Sequence, residues 1–326
     1  MPTKNKIKIK DNANIKLLLL FLFALIGMGL FIGLGLTSRN INFNLPRRTA
    51  RIMAVLIVSY SIAYSSVVFQ TLTNNKILTP SVMGLDSLYM FIQTVVVFFF
   101  GARQLALMSD VAQFFISVIL MAGSSMLLYV FLFKEDSRNI YFLILIGIVF
   151  GGLFGGLSNF MQVLLDPNEF LILQGRMFAS FSNINVKLLS ICTVIIILCL
   201  LSSLSDLKKL DVLSLGEYHA INLGINYKKL VKKQFIIISI LVSVSTALVG
   251  PVTFLGILLT SLAREVTKGY RHNYLVISAF LISVLSLVYS LFIVERMLNF
   301  ETTINVIINF VGGIYFIYIV LKESKI

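Results

Sequence analysis

The chain has little of what catalytic and metal-binding sites require. Its 326 residues include two histidines, two cysteines, no tryptophan and 14 acidic residues. It contains neither a G-x-x-x-x-G-K-[ST] phosphate loop nor an H-E-x-x-H motif, which excludes those ways of binding ATP or zinc. His219 and His272 both lie in short polar segments, so a histidine metal site is not expected. We therefore expect no metal site and no directly bound cofactor.

The two cysteines do not form a predicted disulfide. Cys192 and Cys199 lie seven residues apart on one predicted helix, which separates them by about 10 Å along its axis. A disulfide cannot bridge that distance. They are predicted to be thiols buried in a membrane, and they say nothing about the redox compartment.

Charged residues are scarce in the chain. Only 13% of residues are charged, 58% are hydrophobic, and the mean hydropathy is +0.96. These values predict an all-α integral membrane protein in which each span needs roughly 20 apolar residues. The ten candidate spans are 17–37, 50–72, 85–102, 110–133, 140–164, 187–205, 234–249, 251–263, 274–294 and 304–321.

The basic residues predict the orientation of the spans. The leader MPTKNKIKIK precedes a first span that is too long for a signal peptide and has no A-x-A cleavage site, so this span is predicted to be retained. With both termini inside, the inner segments hold 19 Lys and Arg residues and the outer segments hold eight. Inner loops collect basic residues, so both termini are predicted to be cytoplasmic. The net charge of +13 then reflects topology, and no nucleic-acid partner is expected.

Ionisable residues are almost absent from the interiors of the spans. The charges stop at predicted span edges, as at Asp86, Asp110 and Asp166, while neutral polar residues such as Gln93 and Asn309 lie inside. Ion-coupled carriers place ionisable groups within the membrane, so an ion-coupled secondary transporter is the weaker alternative. A membrane-embedded lipid enzyme is also disfavoured, because no acid/base cluster can be assembled at one membrane face.

One polar segment, DVLSLGEYHAINLGINYKKL at 211–230, interrupts two apolar runs. Ser214 and Glu217 have the spacing of a capping box, and Gly224 supplies a left-handed stop. The predicted helix at about 215–223 is roughly 13 Å long, too short to cross a bilayer. Its apolar stripe consists of Leu215, Tyr218 and Ile221, and lysines flank it on both sides. The segment is either an interfacial helix on the lipid surface or a docking element for a cytoplasmic partner.

Three stretches of the chain carry a family pattern: LPRRTARIMAVLIVSYSIAYSSVVFQTLTNNKILTPSVMGLDS, LSLGEYHAINLGINYKKL and GPVTFLGILLTSLAREVTKGYRHNYLV. They resemble the iron-chelate uptake permeases of binding-protein-dependent ABC importers, the family that includes the cobalamin permease. The similarity runs from about residue 40 to 320 with ten spans in the same order. It implies the type II ABC importer permease fold as a single domain over residues 1–326, with a cytoplasmic basic tail at 1–16. It also implies a bacterial cell membrane location.

The resemblance implies particular partners and roles. The loop at 206–233 would carry a coupling helix at about 213–224 that contacts a cytoplasmic ATPase subunit, which hydrolyses ATP while the permease itself is not an enzyme. A second permease subunit, identical or paralogous, would complete the translocation path within the lipid bilayer, and an extracytoplasmic siderophore-binding protein would dock outside. The implied ATPase-coupling residues are Ser214, Leu215, Gly216, Glu217, Ala220, Leu223, Gly224 and Arg264.

The outer rim and the path are assigned in the same way. Arg47 and Arg296 are implied to pair with glutamates of the binding protein. Asn44 stands where another basic residue is common in the family, and Arg48 or Arg51 would compensate for it in docking. The alternative is anchoring of these arginines at the membrane edge. The implied path residues are Gln70, Gly151, Gly155, Asn159 and Gln162, although glycines at this spacing also favour simple helix packing.

The chain departs from the family at two places. TSLAREV contains Thr260 and Ser261 where Pro-His is common, and FETTI at 300–304 replaces a Glu-Leu-Pro-type turn. These departures resemble a subgroup that takes up catecholate-type or petrobactin-like ferric siderophores. Paired permeases are common in that subgroup, so a heterodimer is expected as readily as a homodimer. Import of another chelate, such as cobalamin or haem, is the alternative.

Overall fold

The computed structural model describes residues 3–36, 41–133, 140–182, 184–299 and 302–323. Over these ranges the chain forms thirteen α-helices and one short 3₁₀ helix, Pro80–Met83, with no strand. Phe300 and Glu301, in the departing FETTI turn, lie outside the described residues. The α-helices are α1 (Thr3–Gly33), α2 (Ile41–Leu72), α3 (Leu85–Leu107), α4 (Asp110–Phe133), α5 (Ile140–Val163), α6 (Pro167–Met177), α7 (Val186–Leu204), α8 (Leu207–Leu213), α9 (Glu217–Asn222), α10 (Tyr227–Val249), α11 (Leu255–Thr267), α12 (His272–Arg296) and α13 (Ile304–Glu323).

Helix α2 lies at the centre of the bundle. It packs against α12, α10, α11 and α7, and 78% of its most apolar window is buried. Small side chains along it, including Ala54, Ser61, Ala63 and Ser65, are fully buried. Small residues let helix backbones approach closely inside a membrane. In contrast, the corresponding window of α1 is only 17% buried, so most of that helix faces outward.

Seven of the described helices are long and apolar enough to cross a membrane: α1, α2, α4, α5, α7, α10 and α12. The spans predicted at 85–102 and 304–321 fall within α3 and α13, whose apolar stretches among the described residues are Leu85–Gly101 and Ile304–Tyr318. The span predicted at 251–263 corresponds to α11, whose 13 residues extend only about 20 Å. Helix α6 was not predicted from the sequence.

The backbone breaks between α10 and α11. Gly250 adopts a φ of +100°, and its N–H closes α10 by donating to the carbonyl of Thr246 at 2.8 Å. The next carbonyl, that of Pro251, accepts a hydrogen bond from Asn305 Nδ2 at 3.0 Å. This side chain therefore satisfies a backbone group that the interrupted helix leaves free.

Candidate functional site

The short helix α9 begins later than the sequence predicts. Ser214 lies at the end of α8, where its hydroxyl donates to the carbonyl of Asp211 at 2.7 Å. Gly216, with a φ of +102°, occupies the N-cap position of α9. The predicted capping box of Ser214 and Glu217 is therefore wrong, and the helix spans 217–222 instead of 215–223. The local pattern failed because Ser214 is the C-cap of the preceding helix α8.

The other end of α9 is as predicted. Gly224 adopts a φ of +82° and donates its N–H to the carbonyl of Ile221 at 2.9 Å, while Ile225 donates to Ala220 at 3.0 Å. These two bonds form the Schellman arrangement that ends many helices at a glycine. The stop signal was readable from the sequence because it depends on one residue's backbone freedom.

Helix α9 exposes an apolar surface. We call Leu215, Tyr218, Ile221 and Leu223 the α9 patch; their side chains are 60%, 79%, 45% and 63% exposed. Ala220, on the opposite side, is fully buried. Clustered exposed apolar side chains on a short rigid element mark an interaction surface.

Helix α8 connects the α9 patch to the core through His272. The carboxylate of Asp211 accepts from the backbone N–H of His272 at 2.6 Å and from its ring Nδ1 at 2.7 Å. On the other side of the ring, Nε2 lies 2.7 Å from Thr71 Oγ1. His272 is 2% exposed, and the three residues join α8, α12 and α2. Sequence reasoning missed this group because it placed His272 in a loop.

Asp206 makes a second connection near α8. Its carboxylate lies 2.8 Å from Lys209 Nζ and 2.6 Å from Lys233 Nζ, and Gln234 Nε2 donates to it at 3.1 Å. The Tyr64 hydroxyl donates to Gln234 Oε1 at 2.6 Å, which continues the chain of bonds to α2. Burial by itself raises the pKa of Asp206, but the two lysines outweigh burial and the pKa lies below its ordinary value.

Gln70, a predicted path residue, lies in a buried network instead of on an open surface. Its Nε2 donates to Thr260 Oγ1 at 2.9 Å, and its Oε1 accepts from Arg264 Nη2 at 3.1 Å. Its side chain is 2% exposed. Thr260, one of the two departures from the family pattern, therefore has a defined structural partner in α2.

Two of the predicted docking arginines contact the end of α1. Arg48 Nη1 donates to the carbonyls of Ile32 at 2.7 Å and Leu34 at 2.6 Å, and Arg296 also donates to Leu34. Cationic side chains stabilise the free carbonyls at a helix C-terminus. Arg48 is buried, whereas Arg296 is exposed. Of this pair, only Arg296 presents surface to a partner.

The neighbouring residues Arg51 and Arg47 also differ in exposure to solvent. Arg51 forms an ion pair with Glu295 at 2.8 Å and donates to the carbonyl of Ser182 at 3.1 Å. Arg47 is exposed, and its guanidinium lies 4.1 Å from the centre of the Phe43 ring. We call this end of the bundle, with Arg47, Arg48, Arg51 and Arg296, the arginine end.

The glycines of α5 pack one face of that helix against the start of α3. A Cβ added to Gly151 would lie 3.1 Å from Gly84 Cα, and one added to Gly147 would lie 2.9 Å from Met83 Cα. Both contacts are with backbone, so this approach requires glycine. Gly151, predicted as a path residue, therefore lies in a helix contact, and packing accounts for it.

The opposite face of α5 is open. A Cβ added to Gly152 or Gly156 would meet nothing within 4 Å, and Asn159 is exposed. Gly155 lies near the packed face, 3.9 Å from Ser87 Oγ. Gln162 donates to Ser158 Oγ at 2.8 Å and to Thr94 Oγ1 at 3.2 Å. Among the predicted path residues, Asn159 is therefore the one on the open face.

A protein-family model identifies the chain. The model of the FecCD transport family matches residues 17–322. The chain belongs to the FecCD transport family. This confirms the resemblance to iron-chelate uptake permeases that three stretches of the sequence carry, and with it the prediction of an importer permease.

Curated relatives of this FecCD chain match along most of its length. The petrobactin import system permease protein YclO of Bacillus subtilis (strain 168) is 53% identical over 286 residues, which cover 88% of this chain and 91% of YclO. The petrobactin import system permease protein FatC of Bacillus anthracis is 37% identical over 280 residues, which cover 86% of this chain and 79% of FatC.

A solved structure shares the fold of this FecCD chain. A metal-chelate type ABC transporter in an inward-facing conformation superposes with a TM-score of 0.82 and 24% identity. The match covers 95% of this chain and 99% of the other. The prediction of an all-helical permease fold is therefore confirmed, and the chain is a multi-pass membrane protein.

Proposed function

We propose that this FecCD permease carries ferric siderophores of the petrobactin type into a bacterial cell as part of an ATP-driven importer. The relative YclO, named as a petrobactin import permease, supports this substrate class through its 53% identity over 88% of the chain. The iron chelate is the cargo, and the permease itself binds no nucleotide. A separate ATPase subunit hydrolyses ATP.

The α9 patch is the proposed contact with that ATPase, and it is the observation on which the mechanism rests. Two exposed apolar side chains, Tyr218 and Ile221, lie on a helix of six residues, and two more, Leu215 and Leu223, lie beside its ends. Two glycines of positive φ flank that helix, so its ends are sharply defined. With this surface facing the ATPase, both chain termini lie in the cytoplasm, as the distribution of basic residues also predicts.

Movement of the ATPase reaches the spans through α8. The Asp211–His272–Thr71 group and the Asp206–Lys233 ion pair tie α8 and its start to α12, α10 and α2. Only three residues join α8 and α9. A displacement of the α9 patch therefore moves α8, and through these buried hydrogen bonds and the ion pair it moves the membrane-spanning helices. ATP binding thereby shifts the population between two conformations of the spans.

The arginine end is the proposed docking surface for an extracytoplasmic binding protein. Arg47 and Arg296 are exposed there and are available to carboxylates of that partner. Such rim charges steer and orient docking more than they add affinity. Arg48 contributes indirectly because it holds the end of α1 against α2.

The open face of α5 is the proposed border of the translocation path, shared with a second permease subunit. Gly152 and Gly156 leave space on it and Asn159 offers a neutral polar contact. A path without strong charges binds cargo weakly and therefore releases it readily. Recognition of the siderophore then belongs to the binding protein.

Uptake of radiolabelled iron tests this function. Cells that lack the gene are supplied with ferric petrobactin and complemented with the wild-type chain, with Tyr218→Ala/Ile221→Ala, or with the control Met297→Ala. Met297 is also an exposed apolar residue, 69% exposed, but it lies at the end of α12 beside Arg296. We expect wild-type and control to restore uptake and the α9 variant to reduce it roughly tenfold or more at equal membrane abundance.

Two results would contradict the proposal. Uptake that persists in the deletion strain would mean another substrate, and cobalamin and haem would be tested next. Uptake abolished by collapsing the proton or sodium gradient at constant ATP would instead indicate a secondary transporter.

A further inference from the structure

A small cavity lined by both apolar and polar residues lies beside the central helix. Its volume is about 30 Å³, enough for one or two water-sized particles, since a single water needs roughly 10–15 Å³. Hydroxyl groups and one carboxylate dominate its polar lining. They include Ser65, Ser66, Ser81 and Asp86.

The cavity lies well inside the bundle. Ser66 precedes the end of α2 at Leu72 by six residues, or about 9 Å along the axis. A Cβ added to Gly256 in the first turn of α11 would lie 2.6 Å from Ser66 Oγ. Helix α11 therefore begins at the same depth in the bundle as Ser66. Asp86, the second residue of α3, lines the same cavity and therefore lies at the depth of Ser66, whereas its place in the sequence predicted a position at the edge of the membrane.

The chain around the cavity is irregular. The 3₁₀ helix and Gly84 lead into α3 on one side, and the break at Gly250 leads into α11 on the other. Irregular backbone at membrane depth is tolerated where it is buried in protein or lines a polar cavity. In transporters, such interrupted helices commonly surround an ion.

Two buried polar atoms at this cavity have no protein partner. Asp86 Oδ2 has no hydrogen-bond partner among the described residues, and neither does Ser65 Oγ. Ser65 is fully buried. No Lys, Arg or His is among the residues that line the cavity. A buried carboxylate without a counter-charge is costly, and either a bound proton or a bound cation offsets that cost.

We propose that this cavity binds one sodium ion, held by Asp86 Oδ2, Ser65 Oγ and neighbouring oxygen atoms. Carboxylate and hydroxyl oxygens are hard ligands that suit hard cations. A single positive charge balances the single carboxylate, whereas a divalent ion would leave a net charge inside the bundle. Within the described residues there is no group of three His, Cys, Asp or Glu that would favour a transition metal. The ion stabilises the junction of α2, α3 and α11.

Binding of radiolabelled sodium to the purified full-length chain in phospholipid nanodiscs tests the site. We expect saturable binding of one ion per chain, displaced by unlabelled NaCl and not by choline chloride. Asp86→Asn and Ser65→Ala should each weaken binding roughly tenfold or more. Asp110→Asn is the matched control, because Asp110 is an exposed carboxylate that already accepts from Asn185 at 2.8 Å.

Thermal unfolding at constant ionic strength gives an independent readout. A ligand that binds only the folded state raises the Tm with its concentration, so NaCl in place of choline chloride should raise the Tm of wild-type and Asp110→Asn. Ser65→Ala, which removes one oxygen but keeps the carboxylate, tests the site even if Asp86→Asn does not fold. Three results would overturn the proposal: no saturable binding to wild-type, equal binding to the Asp86 and Ser65 variants, or a Tm that responds to pH but not to sodium.

Discussion

The carboxylate of Asp211 accepts two hydrogen bonds from one residue, His272, through its backbone N–H at 2.6 Å and its ring Nδ1 at 2.7 Å. This double contact fixes both the first residue of α12 and the orientation of its ring. The ring then reaches Thr71 in α2. The element that precedes the α9 patch is therefore attached to the centre of the bundle by a defined side-chain path.

Removing the histidine ring should detach α8. We expect His272→Ala to reduce iron uptake and to destabilise α8 by about 1–3 kcal/mol, because it leaves buried polar partners unsatisfied. Hydrogen exchange of the α8 amides should accelerate accordingly. His219→Ala is the control for local stability, since His219 is exposed on α9. Unchanged hydrogen exchange of α8 in His272→Ala would show that the Asp211–His272 hydrogen bonds do not hold α8 to the bundle.

The ion pairs of Asp206 should make stability depend on pH. Its folded-state pKa is lowered, so the stabilisation is present above the ordinary Asp value of about 3.9 and is lost as the pH falls through the folded-state pKa. We expect Asp206→Asn to lower the Tm at neutral pH and to match wild-type increasingly well below about pH 4. Asp166→Asn, at an exposed carboxylate, should change the Tm little at any pH. A deficit that stays constant down to low pH would contradict the prediction.

The two faces of α5 should respond oppositely to alanine. Gly147→Ala places a Cβ 2.9 Å from the Met83 backbone, and we expect a loss of about 1–3 kcal/mol from overpacking. Gly152→Ala meets nothing within 4 Å and should stabilise the helix by up to about 1 kcal/mol. Tm values of the purified single subunit measure both. Similar losses in the two variants would mean that the open face is also packed in the subunit alone.

Substitutions at the arginine end should separate effects on folding stability from effects on docking of the binding protein. Arg48→Ala removes the donor to the carbonyls that end α1 and should lower the Tm, with an expected cost of about 1–3 kcal/mol. Arg47→Glu should leave the Tm unchanged and weaken binding of the binding protein, most strongly at low salt. Surface plasmon resonance at two salt concentrations, beside thermal unfolding, distinguishes these effects. Equal binding by Arg47→Glu and wild-type would exclude Arg47 from the docking surface.

Features that depend on composition or on a single residue could be read from the amino-acid sequence. Long apolar runs require a helical membrane protein, because only internally hydrogen-bonded segments cross a bilayer. Gly224 ends α9 through its own backbone freedom, and three stretches of motif carried the family assignment. Even the exposure of Leu215, Tyr218 and Ile221 followed from their spacing.

The tertiary structure alone decided which polar groups meet. Asp211 and His272 are 61 residues apart, Gln70 and Arg264 are 194 apart, and no local pattern encodes such pairs. Ser214 does not cap α9 because it is the C-cap of α8, and Arg48 turns inward because the carbonyls that end α1 lie beside it. Asp86 was expected at a span edge, yet chain breaks at two distant positions enclose it within the bundle. Those contacts arise only when separate helices pack, since burial forces each polar group to find a partner.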